Sequence, residues 1–416
     1  MSSDLGKKDL TVNALVDKGG NVTAGEVSVQ SRGSRMAEFN KLVADKVTVV
    51  NSVTAGRYTD DLSVGDGSAI GELVAETLEV RDGTVTLGRT SGSTEMSLQS
   101  LDLQNDATLV LNRQTSLAVT KELTATENAT VQLKTDAAVS YDGVNISNRK
   151  ESALSVNAYA LSGEAELELN GAHVAATGSG DKMIDYKLVN STVENAGSGT
   201  LQVTHRENSL AGIAASGGDV EVYNVSAPMN LQELHIAMGL SVSLMVGDVG
   251  SSMTPENEAD VTVVGMAVFE QGATLNANLT LAAGSELRMD GPLHMGSSLE
   301  LVAGEGTITL SGAMYDAVSS LELGESLTLF TGVDSLTLTN DSISVTYRPG
   351  ELHSARADRY FGNLPVPGEE KYYYITYTHT DECGGAVAIT LNVPEPATST
   401  LSLLALAALA TRRRRK

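Results

Sequence analysis

The sequence predicts an all-β chain: a right-handed parallel β-helix or β-solenoid, closed by a C-terminal β cap and followed by a short C-terminal hydrophobic helix. Three observations predict it. Apolar and polar residues alternate through most of the 416 residues, which is the period of strands with one buried face. The alternating runs recur at a nearly constant spacing. Glycine, asparagine and aspartate stand between the runs, where turns need positive φ.

The body, residues 1–319, carries the repeat. Leu101-Asp-Leu103 with Leu109-Val-Leu111 aligns onto Leu123-Thr-Ala125 with Val131-Gln-Leu133 at an offset of 22 residues. Leu78-Glu-Val80 with Val85-Thr-Leu87 aligns onto the first of these at an offset of 23 to 24. Leu279-Thr-Leu281, Leu287-Arg-Met289, Leu293-His-Met295 and Leu299-Glu-Leu301 continue the phrase. One strand-turn-strand unit cannot bury its apolar face alone, so stacked copies make the core. A string of β-sandwiches is the competing architecture, but the repeats are shorter than a sandwich and no linker interrupts them. The pattern resembles the passenger regions of autotransporters and other surface β-helices.

Residues 320–392 read as a distinct aromatic-rich end-piece. Six of the 12 tyrosines fall between Tyr347 and Tyr377. A short helix is expected at Leu352–Tyr360. A hairpin is expected from Tyr372 to His379 and back from Gly385 to Leu391, covering the last coil's apolar edge. A sugar-stacking aromatic platform is the alternative use for these rings.

Residues 393–416 have a different character. Val393-Pro394-Glu395-Pro396 precedes an apolar run, Ala397 to Ala410, with Leu401, Leu403, Leu404, Leu406 and Leu409 among alanines. Arg412, Arg413, Arg414, Arg415 and Lys416 follow. Leucine and alanine favour helix. Residues 397–411 would span about 22 Å as a helix, short of the roughly 30 Å hydrocarbon core, so snorkelling cations and local thinning must help. The five cations stay cytoplasmic and place everything upstream outside. Pro394 and Pro396 hold Glu395 on extended, accessible backbone.

This tail resembles the PEP-CTERM sorting signal of diderm bacteria. The resemblance implies recognition through Pro394, Glu395 and Pro396 by an exosortase, an integral-membrane transpeptidase. It also implies a transient stop in the bacterial inner membrane through the leucine run, and topology set by Arg412 to Lys416. Delivery to the cell surface, outer membrane or extracellular matrix follows, with extracellular polysaccharide as a possible neighbour of the mature protein. Export also calls for basic residues and then roughly 7–15 apolar ones at the N-terminus. The first ten residues hold no apolar core, so a further segment ahead of residue 1 is expected.

Charge and chemistry narrow the function. Net charge is −24, and without the residues from Pro394 onward the chain keeps 23 basic and 51 acidic residues, a net −28. Nucleic acid is excluded as a partner, because phosphate binding needs a basic face. Cys383 is the only cysteine, so no internal disulfide forms, and its acidic setting opposes thiolate formation. His173, His205, His235, His294, His353 and His379 are scattered without metal spacing and read as exposed coil residues. Val64-Gly-Asp66-Gly-Ser68 and Ala176-Thr-Gly-Ser-Gly180 read as turns, since neither has the lysine and helix of a phosphate loop. No cofactor and no catalytic residue is assigned. The expected function is an exported, non-catalytic structural or adhesive protein. The competing reading is a polysaccharide lyase or glycosidase on the same scaffold. Against it stand the absence of tryptophan and a repeat that shows no long loop insertion, the usual place for a site.

Overall fold

The computed structural model describes residues 2–4, 10–13, 20–32, 38–52, 67–89, 91–252, 257–282, 284–295, 300–303, 307–333, 335–340, 343–347, 353–356, 372–380 and 384–392. These residues form a β-solenoid divided into two compact units, Met1–Ser226 with Gly247–Gly250, and Ala227–Val246 with Ser251–Lys416.

In the first unit, strands Leu73–Asp82, Thr94–Leu103 and Thr115–Ala125 stack in parallel. So do Thr84–Leu87, Thr108–Leu111 and Thr130–Leu133. Leu78 pairs with Leu101 and Leu101 with Leu123. Leu87 pairs with Leu111 and Leu111 with Leu133. The sequence offsets of 22 to 24 residues are therefore the steps by which one coil lies on the next. Inward positions form continuous apolar columns: Val47, Leu78, Leu101 and Leu123 are each buried. Each such side chain contributes about 1.5–3 kcal/mol on leaving water. Outward positions carry polar columns. Glu79 lies between Thr48 and Asp102 in register, and its carboxylate meets Lys46 at 2.8 Å and Arg81 at 2.5 Å.

One coil runs backward. Strands Ala138–Tyr141 and Val144–Ser147 pair antiparallel across Asp142-Gly143. Those two residues have φ of 48° and 75°, the positive pair that a type I′ hairpin demands and that Asp-Gly supplies. Leu154–Asn157 then returns antiparallel to Thr130–Leu133. A one-turn helix, Ala158–Leu161, reverses the chain again. The Asn157 side chain accepts from Ala160 N at 2.9 Å and so caps it. His173–Ala176 pairs antiparallel to the reversed strand Val144–Ser147 and parallel to Lys187–Asn195, restoring the original direction. The expected β-solenoid is present, with this one coil reversed within it.

A glycine corner follows. Gly178-Ser-Gly180, Gly197-Ser-Gly199 and Gly217-Gly218 recur while the flanking strands Lys182–Ile184, Leu201–Val203 and Val220–Val222 step by 19 residues. A Cβ on Gly199 would overlap the Gly180 carbonyl, and one on Gly218 the Gly199 carbonyl. The turn expected at Ala176–Gly180 is thus one layer of a stacked backbone corner. Asn195, 2% exposed, fills its inside. Its amide donates to Gly199 O and Asp219 O, both at 2.7 Å, and accepts from Gly197 N at 3.1 Å.

The second unit repeats the plan. Ile236, Phe269, Met289 and Leu310 pair successively across Met229–Ile236, Asp260–Phe269, Glu286–Met289 and Thr307–Leu310. All four side chains are buried. A second parallel stack comprises Ser241–Leu244, Thr274–Asn276, Leu293–Met295 and Ser326–Val333. It ends by switching to antiparallel pairing with Gly384–Asn392, then Tyr372–Thr380, then His353–Arg356.

The predicted terminal hairpin is present. The helix expected over Leu352–Tyr360 is not: His353–Arg356 is a strand, because pairing with Tyr374–Tyr377 satisfies its backbone and overrides local helix preference. Tyr377 is buried and donates to Val333 O at 3.0 Å, so this ring serves the core.

The reading that no long insertion interrupts the repeat is also corrected. Register steps lengthen to 31 residues from Leu42 to Leu73, 33 from Ser241 to Thr274, and 37 from Leu293 to Phe330. The last excursion holds the helix Gly312–Ser319. Such excursions preserve inward alternation in the strands around them, so they leave little trace in the periodicity.

Candidate functional site

The tail that resembles a sorting signal begins where the last strand stops. Gly384–Asn392 lies between two antiparallel neighbours, with Thr390 opposite Ser326 and Asn392 opposite Tyr372. Ile389 and Leu391 are buried. Backbone bonds from Gly324 N to Leu391 O, 2.8 Å, and from Leu391 N to Glu325 O, 3.1 Å, hold its end against the turn Glu322–Glu325. That turn closes through Glu325 N to Glu322 O at 3.0 Å. Gly324 at φ 86° supplies the positive-φ third position. Only Val393 separates the strand from Pro394. Pro394, Glu395, Pro396, the five leucines and the basic end lie outside the described residues, as do Cys383 and Asp66. Among the described residues no helix is long and apolar enough to cross a membrane.

A second candidate is an open groove of about 590 Å³ in the first unit, lined by Glu166, Asp185, His205, Arg206, Glu207 and Asp248 among others. His205 Nε2 lies 3.2 Å from Glu166 Oε1, and Arg206 lies 3.2 Å from Asp248 Oδ1. Lys187 Nζ sits 3.3 Å from both Glu168 and Glu207. The Glu166 and Asp248 side chains are 62% and 70% exposed. Both are open to water, whereas a general acid is usually shielded from it. Elsewhere, neighbouring cations hold Glu72, Glu79 and Glu286 below the usual carboxylate range: Lys41 first for Glu72, Arg81 for Glu79 and Arg288 for Glu286. That is the behaviour of carboxylates paired with cations, of which Glu79 is itself buried. Among the described residues no group of three or more His, Cys, Asp or Glu is arranged to hold a metal ion. Periodicity gave no sign of the groove, because its residues come from turns 19 to 42 positions apart that meet only when coils stack.

His173 corrects a second expectation. It is not an exposed coil residue but is buried, 7% exposed. Nε2 lies 2.7 Å from Arg149 and 3.1 Å from Glu194, and Nδ1 lies 2.8 Å from Thr192 Oγ1. Burial lowers its pKa to about 4, Arg149 adds to the effect, and Glu194 opposes it. The antiparallel register of the reversed coil places Ser147 opposite His173 and brings Arg149 over the ring, a juxtaposition with no signature in spacing.

A model of the PEP-CTERM protein-sorting motif matches residues 392–416. No curated protein and no solved structure matches the chain. The chain therefore carries a PEP-CTERM sorting motif on a β-solenoid body. The motif implies export, membrane-associated sorting and an exosortase-type processing partner.

Proposed function

We propose that the exported protein is a non-catalytic structural or adhesive element of the cell surface or extracellular matrix. The observation that carries this reading is the continuity of the sorting motif, residues 392–416, with the closing strand Gly384–Asn392 of a solenoid. Processing near Pro394-Glu395-Pro396 leaves such a body structurally entire. In this reading Leu401, Leu403, Leu404, Leu406 and Leu409 stop transfer in the inner membrane, and Arg412 to Lys416 fix the topology. A net charge of −28 without the tail keeps copies soluble and mutually repelling outside the cell. Extracellular polysaccharide is the neighbour such a surface element would meet.

The test replaces Pro394-Glu395-Pro396 with three alanines in the native host. Accumulation of the unprocessed, membrane-retained chain is expected, and unchanged processing and delivery would remove the sorting role. The second reading, a glycan-active enzyme, is favoured by the groove that joins His205 to Glu166 and Arg206 to Asp248. Purified protein incubated with acidic polysaccharides is expected to yield no new reducing or unsaturated ends. Their appearance, abolished by Glu166→Gln, would establish the enzyme instead.

A further inference from the structure

Resting on the sorting role proposed above, we infer that the processing enzyme docks on the folded end of the body as well as on the tripeptide, with the turn Glu322–Glu325 as its contact. Chain length is the first ground. Pro394 is two residues beyond Asn392, a reach of at most about 7 Å, and Ala397 is five residues beyond, at most about 18 Å. A groove built by an integral-membrane enzyme has walls at least one helix thick, about 10–12 Å. The wall is thicker than the tether to Pro394 is long. An enzyme closed around Pro394-Glu395-Pro396 therefore abuts whatever surrounds the end of the strand.

The second ground is what surrounds it. The turn Glu322–Glu325 is bonded to Leu391 on both its amide and its carbonyl, so it moves with the strand that carries the signal. It is rigid by construction. Glu325 Oε2 accepts from Glu322 N at 2.7 Å, and Gly324 relieves the positive φ. At its apex Leu323 is 53% exposed, between exposed carboxylates at Glu322 and Glu325. A large apolar side chain held in water on an ordered turn, beside the end of the strand, is suited to a small apolar pocket with a basic rim.

The third ground is the strand itself. Gly384–Asn392 is paired on both edges, so the enzyme engages nothing upstream of Asn392 without stripping two sets of backbone bonds. Cleavage is confined to residues beyond 392, and the mature chain keeps its closing strand.

The test follows processing of the full chain in the native host by pulse-chase, with mass spectrometry of the mature C-terminus. Leu323→Ser is expected to slow processing about five-fold or more, the effect of losing one interface anchor. An unchanged melting temperature is expected, since Leu323 is exposed. Met183→Ser, at a site 59% exposed on the other unit, is expected to leave the rate unchanged. Six Gly-Ser residues inserted between Asn392 and Val393 are expected to restore the rate of Leu323→Ser, because the longer tether frees the grip from the body. Normal processing of Leu323→Ser, equal slowing by Met183→Ser, no rescue by the spacer, or a mature C-terminus within residues 384–392 would each overturn the inference. Failure of the sorting role looks different: the chain is not cut, or the triple-alanine variant is cut as before.

Discussion

Asn195→Asp tests the stacked glycine corner with the smallest possible change. The side-chain amide donates to Gly199 O and Asp219 O, and it accepts from Gly197 N. A carboxylate keeps the acceptor and loses both donors, which leaves Gly199 O without this partner, whereas Asp219 O keeps its bond from Leu201 N at 2.9 Å. One carbonyl left without its donor costs about 1–3 kcal/mol, and setting a carboxylate against two carbonyl oxygens adds to it, which places the loss near 3–4 kcal/mol at neutral pH. For a unit of this size each kcal/mol moves the melting temperature by about 2–4 °C, so the expected drop is roughly 6–16 °C. The pH dependence has a defined sign. The site disfavours the charged form, so the introduced carboxyl has a folded pKa above its unfolded value of about 3.9. The deficit is full above the folded pKa. It shrinks as pH falls through it, because the protonated carboxyl regains one donor. A loss of 3–4 kcal/mol corresponds to a rise of about 2–3 pKa units, so recovery falls between about pH 7 and pH 4. Thermal melts of variant and wild type, compared at each pH, read the difference directly. A variant that melts within 2 °C of wild type at pH 7, by the scale of about 2–4 °C per kcal/mol, or a gap that widens on acidification, would refute the hydrogen-bonded corner.

Two further predictions concern the same unit. Gly199→Ala drives a Cβ into the Gly180 carbonyl and to 2.6 Å from Asp181 N, an overpacking cost of about 3 kcal/mol or more. Gly178→Ala meets nothing within 4 Å and bears only its φ of 87°, about 1–2 kcal/mol. Urea midpoints should rank wild type above Gly178→Ala above Gly199→Ala, and the reverse order would refute the stack. His173 has a folded pKa lowered to about 4 from 6.5. The unfolded chain takes up that proton first on acidification. The stability linked to neutral His173 is therefore whole above pH 6.5 and is lost as pH falls through 4. Wild type should lose more melting temperature than His173→Gln between pH 7 and pH 4.5, and parallel curves would exclude His173 as the source.

Much of the fold was legible because a solenoid writes its geometry into period and offset. Leu101, Leu109 and Leu111 pair with Leu123, Val131 and Leu133 at the offset visible in the chain, since each coil must repeat the inward residues of the last. The terminal hairpin was legible as two strand-forming runs, Tyr372–His379 and Gly385–Leu391, on either side of a short turn. The reversed coil was not drawn from the sequence, although Asp142-Gly143 is a strong local hairpin signal, because a two-residue turn is easily read as another corner of a long repeat. The strand His353–Arg356 was missed because its pairing partner decides its state, not its own composition.

The sequence by itself carries the sorting motif at residues 392–416, which implies export. Pro394-Glu395-Pro396, the leucine run and the terminal arginines stand in order along the chain, so the motif is legible without the fold. The sequence also determined the all-β repeat, since inward apolar periodicity is a property of each coil alone. Only the tertiary structure decided which distant residues meet. It set His173 under Arg149, Asn195 inside the glycine corner, His205 beside Glu166, and the turn at Leu323 beside the start of the sorting signal. The physical reason is that such contacts depend on how many residues each coil spends before returning, and that number is fixed by turns and excursions whose length the periodic pattern does not record.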